Sequence, residues 1–179
     1  EAMAADYTDG PVDRIAGANR YETAAALVEE FMGATSFAQD GDVVAYIATG
    51  DTFADSLSLG PVAVVTGGPL LLVQQDAVPD ATAAALASLS PDRIVIVGGE
   101  AVVSAGVAEA LTAFTDGPVE RWAGPNRYAT AAAVSSQGFP GETSTVYMAT
   151  GSDYPDALAG GIAAGMDRAP LLVVQQDCV

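Results

Sequence analysis

A chain of 179 residues, half of them apolar and with a mean hydropathy of +0.31, has ample material for a buried core, which excludes a disordered polypeptide. Its 23 acidic residues against 6 basic ones give a formal net charge of -17, which repels polyanions and argues against nucleic-acid binding. There is no histidine, and Cys178 is the only cysteine, so a disulfide framework and a cysteine-rich zinc site are both excluded; no apolar run approaches the roughly 18 residues of a membrane span.

Residues 1–11 read as an N-terminal extension without signal-peptide character, so any such segment is expected to have been removed. Val12–Ala16 then suggests a short strand, and Arg20–Phe31 an alanine-rich helix with Asn19 at its N-cap. A loop over Gly33–Asp42 leads to a strand at Val43–Thr49. Phe53–Thr66 is expected to be helical, capped by Thr52, although Gly60-Pro61 interrupts it. Leu70–Gln75 reads as a strand, Asp80–Leu89 as a helix entered at Pro79 and left at Pro91, Arg93–Val97 as a strand and Val102–Phe114 as a helix. Uninterrupted apolar strands such as LLLV and IVIV are what a parallel sheet covered on both faces requires. Alternation of strand and helix makes the chain α/β, a layered and mostly parallel sheet with helices on both faces.

The chain then repeats itself. Val12–Leu27 (VDRIAGANRYETAAAL) and Val119–Val134 (VERWAGPNRYATAAAV) share 11 of 16 positions at an offset of 107. Ala48–Leu57 matches Ala149–Leu158, and Pro69–Asp76 matches Pro170–Asp177, both at an offset of 101. The six missing residues fall in the stretch equivalent to Gly33–Asp42, where a surface loop tolerates them. Residues 12–117 therefore form one complete repeat and 118–179 a partial second one, again beginning with a capped helix at Asn126.

The linked order of RIAGxNRYxTA, a strand ending in ATG, an FxDAL-like segment, PLLLV and RIVIVGG resembles the cell-wall-binding repeat type 2 family of Gram-positive surface proteins, over nearly all of Val12–Val179. That resemblance implies about three tandem repeats folding as α/β subdomains around a pseudo-three-fold axis. It further implies non-covalent attachment of a secreted protein to an anionic secondary polymer of the cell wall, outside the cell. The segments Pro69, Leu70, Leu71, Leu72 and Pro170, Leu171, Leu172 match the family's PxLL anchoring motif. One repeat and a fragment depart from three copies, so further repeats of the parent chain, or self-association, are expected partners.

All six basic residues are arginines, and four lie in the duplicated motif: Arg14 with Arg20, and Arg121 with Arg127. A helix N-terminus flanked by a guanidinium gathers free N–H donors and a fixed positive charge, a good seat for an anion. Arg14, Asn19, Arg20, Tyr21, Arg121, Asn126, Arg127 and Tyr128 are thus the candidate polymer contacts. The alternative is that each arginine pairs with Asp55 or Asp156, carboxylates at equivalent positions, and fixes subdomain packing. Catalysis is disfavoured: histidine and lysine are missing, and Asp51 aligns with Ser152, so no carboxylate pair recurs. A nucleotide loop at Val97-Gly98-Gly99 lacks GxGxxG and a lysine. No metal or cofactor is expected. Among the aromatics that could stack on sugars, Phe53 and Trp122 are expected in the core, while Tyr21, Tyr128 and Tyr154 are left open. A self-assembling surface-layer module without polymer ligand, and a carboxylate-dependent hydrolase, are the competing readings.

Overall fold

A computed structural model describes residues 8, 10–32, 38–39 and 42–176. Most of the extension, most of the insertion loop and Cys178 lie outside the described residues. The elements run α1 (Arg20–Met32), β1 (Ala38–Gln39), β2 (Asp42–Thr49), α2 (Leu59–Thr66), β3 (Leu70–Val73), α3 (Asp80–Leu89), β4 (Arg93–Val97), α4 (Ala105–Leu111), β5 (Val119–Trp122), α5 (Arg127–Gly138), β6 (Tyr147–Thr150), α6 (Pro155–Met166) and β7 (Leu171–Val174).

The main sheet is parallel in the order β3-β2-β4-β5, with β1 adding two antiparallel residues against the start of β2. Because strand side chains alternate between faces, Ala45, Ile47, Leu71, Val73, Ile94 and Ile96 point to one side and meet α1, α3 and α4. Val44, Tyr46, Val95, Val97 and Trp122 point to the other and meet Leu59 and Val62 of α2 and Val134 of α5. Tyr46 and Trp122 stack obliquely there, with ring centroids 5.9 Å apart. The chain is thus α/β with helices on both faces of a mostly parallel sheet. A second parallel pair, β6-β7, builds a smaller core from Ala149, Ala157, Ala164, Leu171 and Val173, closed by Leu57 of the first repeat.

Three expectations need correction. Val12–Ala16 is not a strand, whereas its equivalent becomes β5. The physical difference is the partner: β5 pairs with β4 in register from Ile94↔Val119 to Val97↔Trp122, and no strand of that kind precedes Val12 among the described residues. The helix expected from Phe53 begins only at Leu59, after a run of turns, and Thr52 does not cap it. Proline fits only a helix's first turn, so Pro61 fixes the start just before it. In α6 the equivalent position is Ile162, and that helix starts at Pro155. Finally, Ser104 rather than Val102 opens α4, its side chain accepting from the Val107 amide, and Thr112–Phe114 continue as a 3-10 turn.

The repeats meet through helices: α2 packs against α5 and α6. Glycine makes this approach possible, since a Cβ on Gly138 would collide with the methyls of fully buried Val62. Equivalent positions then differ only by what covers them. Leu57 is 9% exposed under the second repeat, while Leu158 is 62% exposed; Ile162 and Met166 extend the open face of α6 at 63% and 77%.

Two glycine variants of opposite sign test this packing. Gly138→Val should lower stability by about 1–3 kcal/mol through overpacking against Val62. Gly160→Ala, mid-helix with only ordinary contact to Leu171, should raise it by about 0.5–1 kcal/mol. Urea unfolding of both variants checks the pair; destabilisation by both would show that α6 does not sit as described.

Candidate functional site

The carboxyl ends of β2, β3, β4 and β5 share one edge of the sheet, the edge at which parallel α/β folds usually present ligands. The duplicated RYxT motif is folded in the same way twice, once against the end of β2 in this sheet and once against the end of β6 in the smaller pair. Asn19 Oδ1 accepts from the amides of Tyr21 and Glu22 at 3.0 Å each, and Asn126 Oδ1 accepts from the amide of Ala129 at 3.0 Å. The hydroxyls of Thr23 and Thr130 accept from the amides of Gly17 and Gly124 at 3.0 and 3.1 Å, tying the incoming chain to the first helical turn. In both copies a Cβ on that glycine would run into the helix, so the AG of the motif is a steric requirement.

From this frame the arginines reach the strand ends. Arg20 donates to the carbonyl of Gly50, and Arg127 Nη1 donates to the carbonyl of Gly151 at 2.7 Å. The rings of Tyr21 and Tyr128 lie over the same two glycines, where any side chain would displace them. The ATG at the end of β2 and β6 is therefore the seat for an arginine and a tyrosine from the neighbouring helix. In the first copy the Tyr21 hydroxyl also donates to Asp51 at 3.2 Å; burial, and secondarily the Asp51 charge, raise the phenol above its ordinary range. Ser152 takes the place of Asp51 in the second copy.

The two arginines of each motif do not converge. Arg121 Nη1 donates to the carbonyl of Gly98 at 2.7 Å, at the end of β4, while Arg127 serves Gly151. Arg14 borders a shallow hollow with Glu29 and Glu30, toward the far end of α1 from Arg20. Asp55 stands half-buried between the repeats, and burial raises its carboxyl above the ordinary carboxylate value against the lowering influence of nearby Thr130 and Arg127; Asp156 is exposed. In the PxLL segments Leu71 and Leu171 are core residues, and Pro69 and Pro170 are buried at the strand entries. Leu70 and Leu72 are half-buried and turn toward a largely apolar groove of about 690 Å³ beside Leu27, Phe31 and Val64.

At the carboxyl edge a cleft of about 400 Å³ brings together Arg20, Thr49–Phe53, Ser56, Leu72 and Tyr154. Phe53 and Tyr154, one from each repeat, form its aromatic wall at 5.5 Å between ring centroids. Phe53 is 37% and Tyr154 50% exposed, so Phe53 is not the core residue expected, while Trp122 is buried as expected. The signal for the wall was present in the sequence, since both rings occupy the same position of FADSL and YPDAL. What was hidden is that equivalent positions of successive repeats meet. Among the described residues no group of three or more histidine, cysteine or acidic side chains stands together as a metal site, and no helix is long and apolar enough to cross a membrane.

Two segments, residues 14–108 and 121–178, match the model of the family described as cell wall binding domain 2. The chain is 35% identical over 166 residues to the N-acetylmuramoyl-L-alanine amidase LytC of Bacillus subtilis, covering 93% of this chain and 31% of that protein. It is 32% identical over 165 residues to the amidase enhancer of the same organism, covering 92% and 22%. The chain thus spans less than a third of the length of the curated relatives it matches. Among solved structures it is similar to Cwp6 from Clostridium difficile, with a TM-score of 0.82 at 28% identity over 94% of this chain and 26% of that one. Cwp8 from the same organism gives 0.75 at 25% identity over 91% and 27%. With two repeats of the same capped and arginine-braced design, each set at the end of a parallel strand, this chain belongs to the cell wall binding domain 2 family and is a cell-wall-binding module of the bacterial surface.

Proposed function

We propose that the module holds its parent protein non-covalently on an anionic secondary polymer of the cell wall, and that the polymer is gripped at the carboxyl edge of the sheet. The observation that carries this reading is the cleft in which the Arg20 guanidinium stands beside the exposed rings of Phe53 and Tyr154. A protein of net charge -17 is repelled by an anionic chain at long range, so attraction requires a local, fixed positive group. Arg20 uses one donor on the Gly50 carbonyl, which orients the planar fork, and the rest of the guanidinium is available to a carboxylate or phosphate. Aromatic walls suit the apolar faces of sugar rings. Asn19 and Tyr21 hold this cation in place, Asn126, Arg127 and Tyr128 form the second station at Gly151, and Arg121 adds a guanidinium at Gly98, while Arg14 lies away from these stations beside Glu29 and Glu30. Several weak stations along one polymer add by avidity.

In the same proposal the module performs no chemistry itself, and Pro69–Leu72 and Pro170–Leu172 serve anchoring by shaping the repeats that carry the cleft. The open face of α6 supports a further repeat in the parent chain: α2 presents the equivalent surface and α6 covers it, so α6 calls for a successor.

Binding of the purified module to purified cell wall should weaken as salt is added, because the contact is ionic. Arg20→Ala should weaken it roughly tenfold or more, the loss of a charge-assisted hydrogen bond of about 1.5–3 kcal/mol. Phe53→Ser with Tyr154→Ser should weaken it without altering the salt dependence. If Arg20→Ala with Arg127→Ala retains its fold and sediments with wall material as before, the cleft is not the site. A salt-independent interaction would transfer the reading to the apolar groove and to self-assembly. Peptidoglycan incubated with the module should release no new amino or reducing ends, and measurable release would refute the non-catalytic reading.

A further inference from the structure

The cleft at the carboxyl edge holds two charges of opposite sign that do not neutralise each other. Arg20 and Asp51 both line it and both are exposed, yet no ion pair joins them among the described residues. Arg20 is committed to the Gly50 carbonyl, and Asp51 Oδ1 accepts from the Tyr21 hydroxyl at 3.2 Å. The Asp51 amide donates to the Thr49 hydroxyl at 3.1 Å, which sets the turn carrying the carboxylate at the end of β2. Phe53 follows two residues later, and its ring meets that of Tyr154 at 59° rather than face to face. On the side of the second repeat, Asp153 Oδ1 accepts from the Tyr154 amide at 2.8 Å. Each ring of the aromatic wall therefore has a carboxylate within two residues.

The chain contains its own control for Asp51. Tyr128 lies over Gly151 as Tyr21 lies over Gly50, although Ser152 stands there in place of the aspartate. The Ser152 amide donates to the Thr150 hydroxyl at 3.2 Å, so the turn is the same as well. Neither the tyrosine nor the turn needs the carboxylate, and structural support does not account for Asp51.

We infer that the first station takes a zwitterionic segment of polymer, with a phosphate or carboxylate on Arg20 and a primary ammonium between Asp51 and the rings of Phe53 and Tyr154. This rests on the reading that the cleft holds the wall polymer, and it names the class the cleft prefers. An exposed carboxylate accepts from an ammonium by charge-assisted hydrogen bonds, and aromatic faces attract the same cation. A bare polyanion sets a negative group against Asp51, whereas a polymer with both charges in one repeating unit meets both sides of the cleft. The net charge of -17 points the same way, because ammonium groups that balance the phosphates remove most of the long-range repulsion. An amino sugar and an aminoacyl ester both supply such an ammonium.

The test is binding of the intact chain to synthetic glycerol phosphate oligomers of equal length. One is unsubstituted, one carries aminoacyl esters, one carries glucosamine, and the last two are also made with the amines acetylated. Wild type should bind at least one amine-bearing oligomer about fivefold more tightly than its acetylated form, and the tighter of the two identifies the source of the ammonium. Asp51→Ser, which installs the residue of the second copy, should abolish that preference, as should Asp51→Asn. Asp116→Ser removes the same charge before the start of β5 and should keep it, which separates a local contact from general repulsion. Arg20→Ala should weaken every oligomer. Binding that depends on Arg20 but not on the amine, or a preference that survives Asp51→Ser, would overturn the zwitterionic assignment and leave the cleft to an anion alone. Oligomers that bind regardless of Arg20→Ala, or fail to bind at all, would remove the cleft reading together with this one.

Discussion

The parallel pairing of β5 with β4 is the constraint on which the rest of the chain depends. Those four residue pairs, from Ile94↔Val119 to Val97↔Trp122, carry the backbone out of one repeat and into the next without leaving the sheet. Trp122 is thereby placed against Tyr46, and α5 is delivered to the face where α2 waits. Everything at the junction follows from that delivery: the Gly138–Val62 approach, the shelter of Leu57, and the meeting of Phe53 with Tyr154.

A second theme is the use of arginine as a backbone acceptor's partner. Strand ends leave carbonyls with no ladder to join, and a buried or half-buried carbonyl needs a donor. Arg20, Arg121 and Arg127 supply it to Gly50, Gly98 and Gly151. In a chain with so few cations, three are thus stationed at the carboxyl ends of parallel strands, two in the main sheet and one in the β6-β7 pair. Bracing and ligand recognition are compatible at such a station, because a guanidinium has five donors in one plane and a single carbonyl takes only part of them.

Legibility in the sequence followed locality. The continuous apolar runs of β2, β3 and β4, the helix at Asp80–Leu89 and the asparagine caps depend on residues within a few positions of each other, and the sequence pattern located them. Val12–Ala16 and Val119–Trp122 have nearly the same residues and different structures, because a strand is defined by a partner remote in sequence. Pro61 moved the start of α2 by a rule visible locally, once its place in the first turn is weighed against its role as a breaker. Phe53 lies outside the core for another reason: its environment is made by Tyr154, and nothing in either repeat alone states that the two positions touch.

The unit that recurs in the sequence and the unit that closes a sheet are out of phase. The sequence restarts at Val119, but the strand beginning there completes the sheet of the repeat before it. A gene duplication that copies one whole repeat therefore copies, at its front, the strand its predecessor needs. Each added copy arrives already fitted to the open end in front of it, so such arrays lengthen by duplication without a new interface having to evolve.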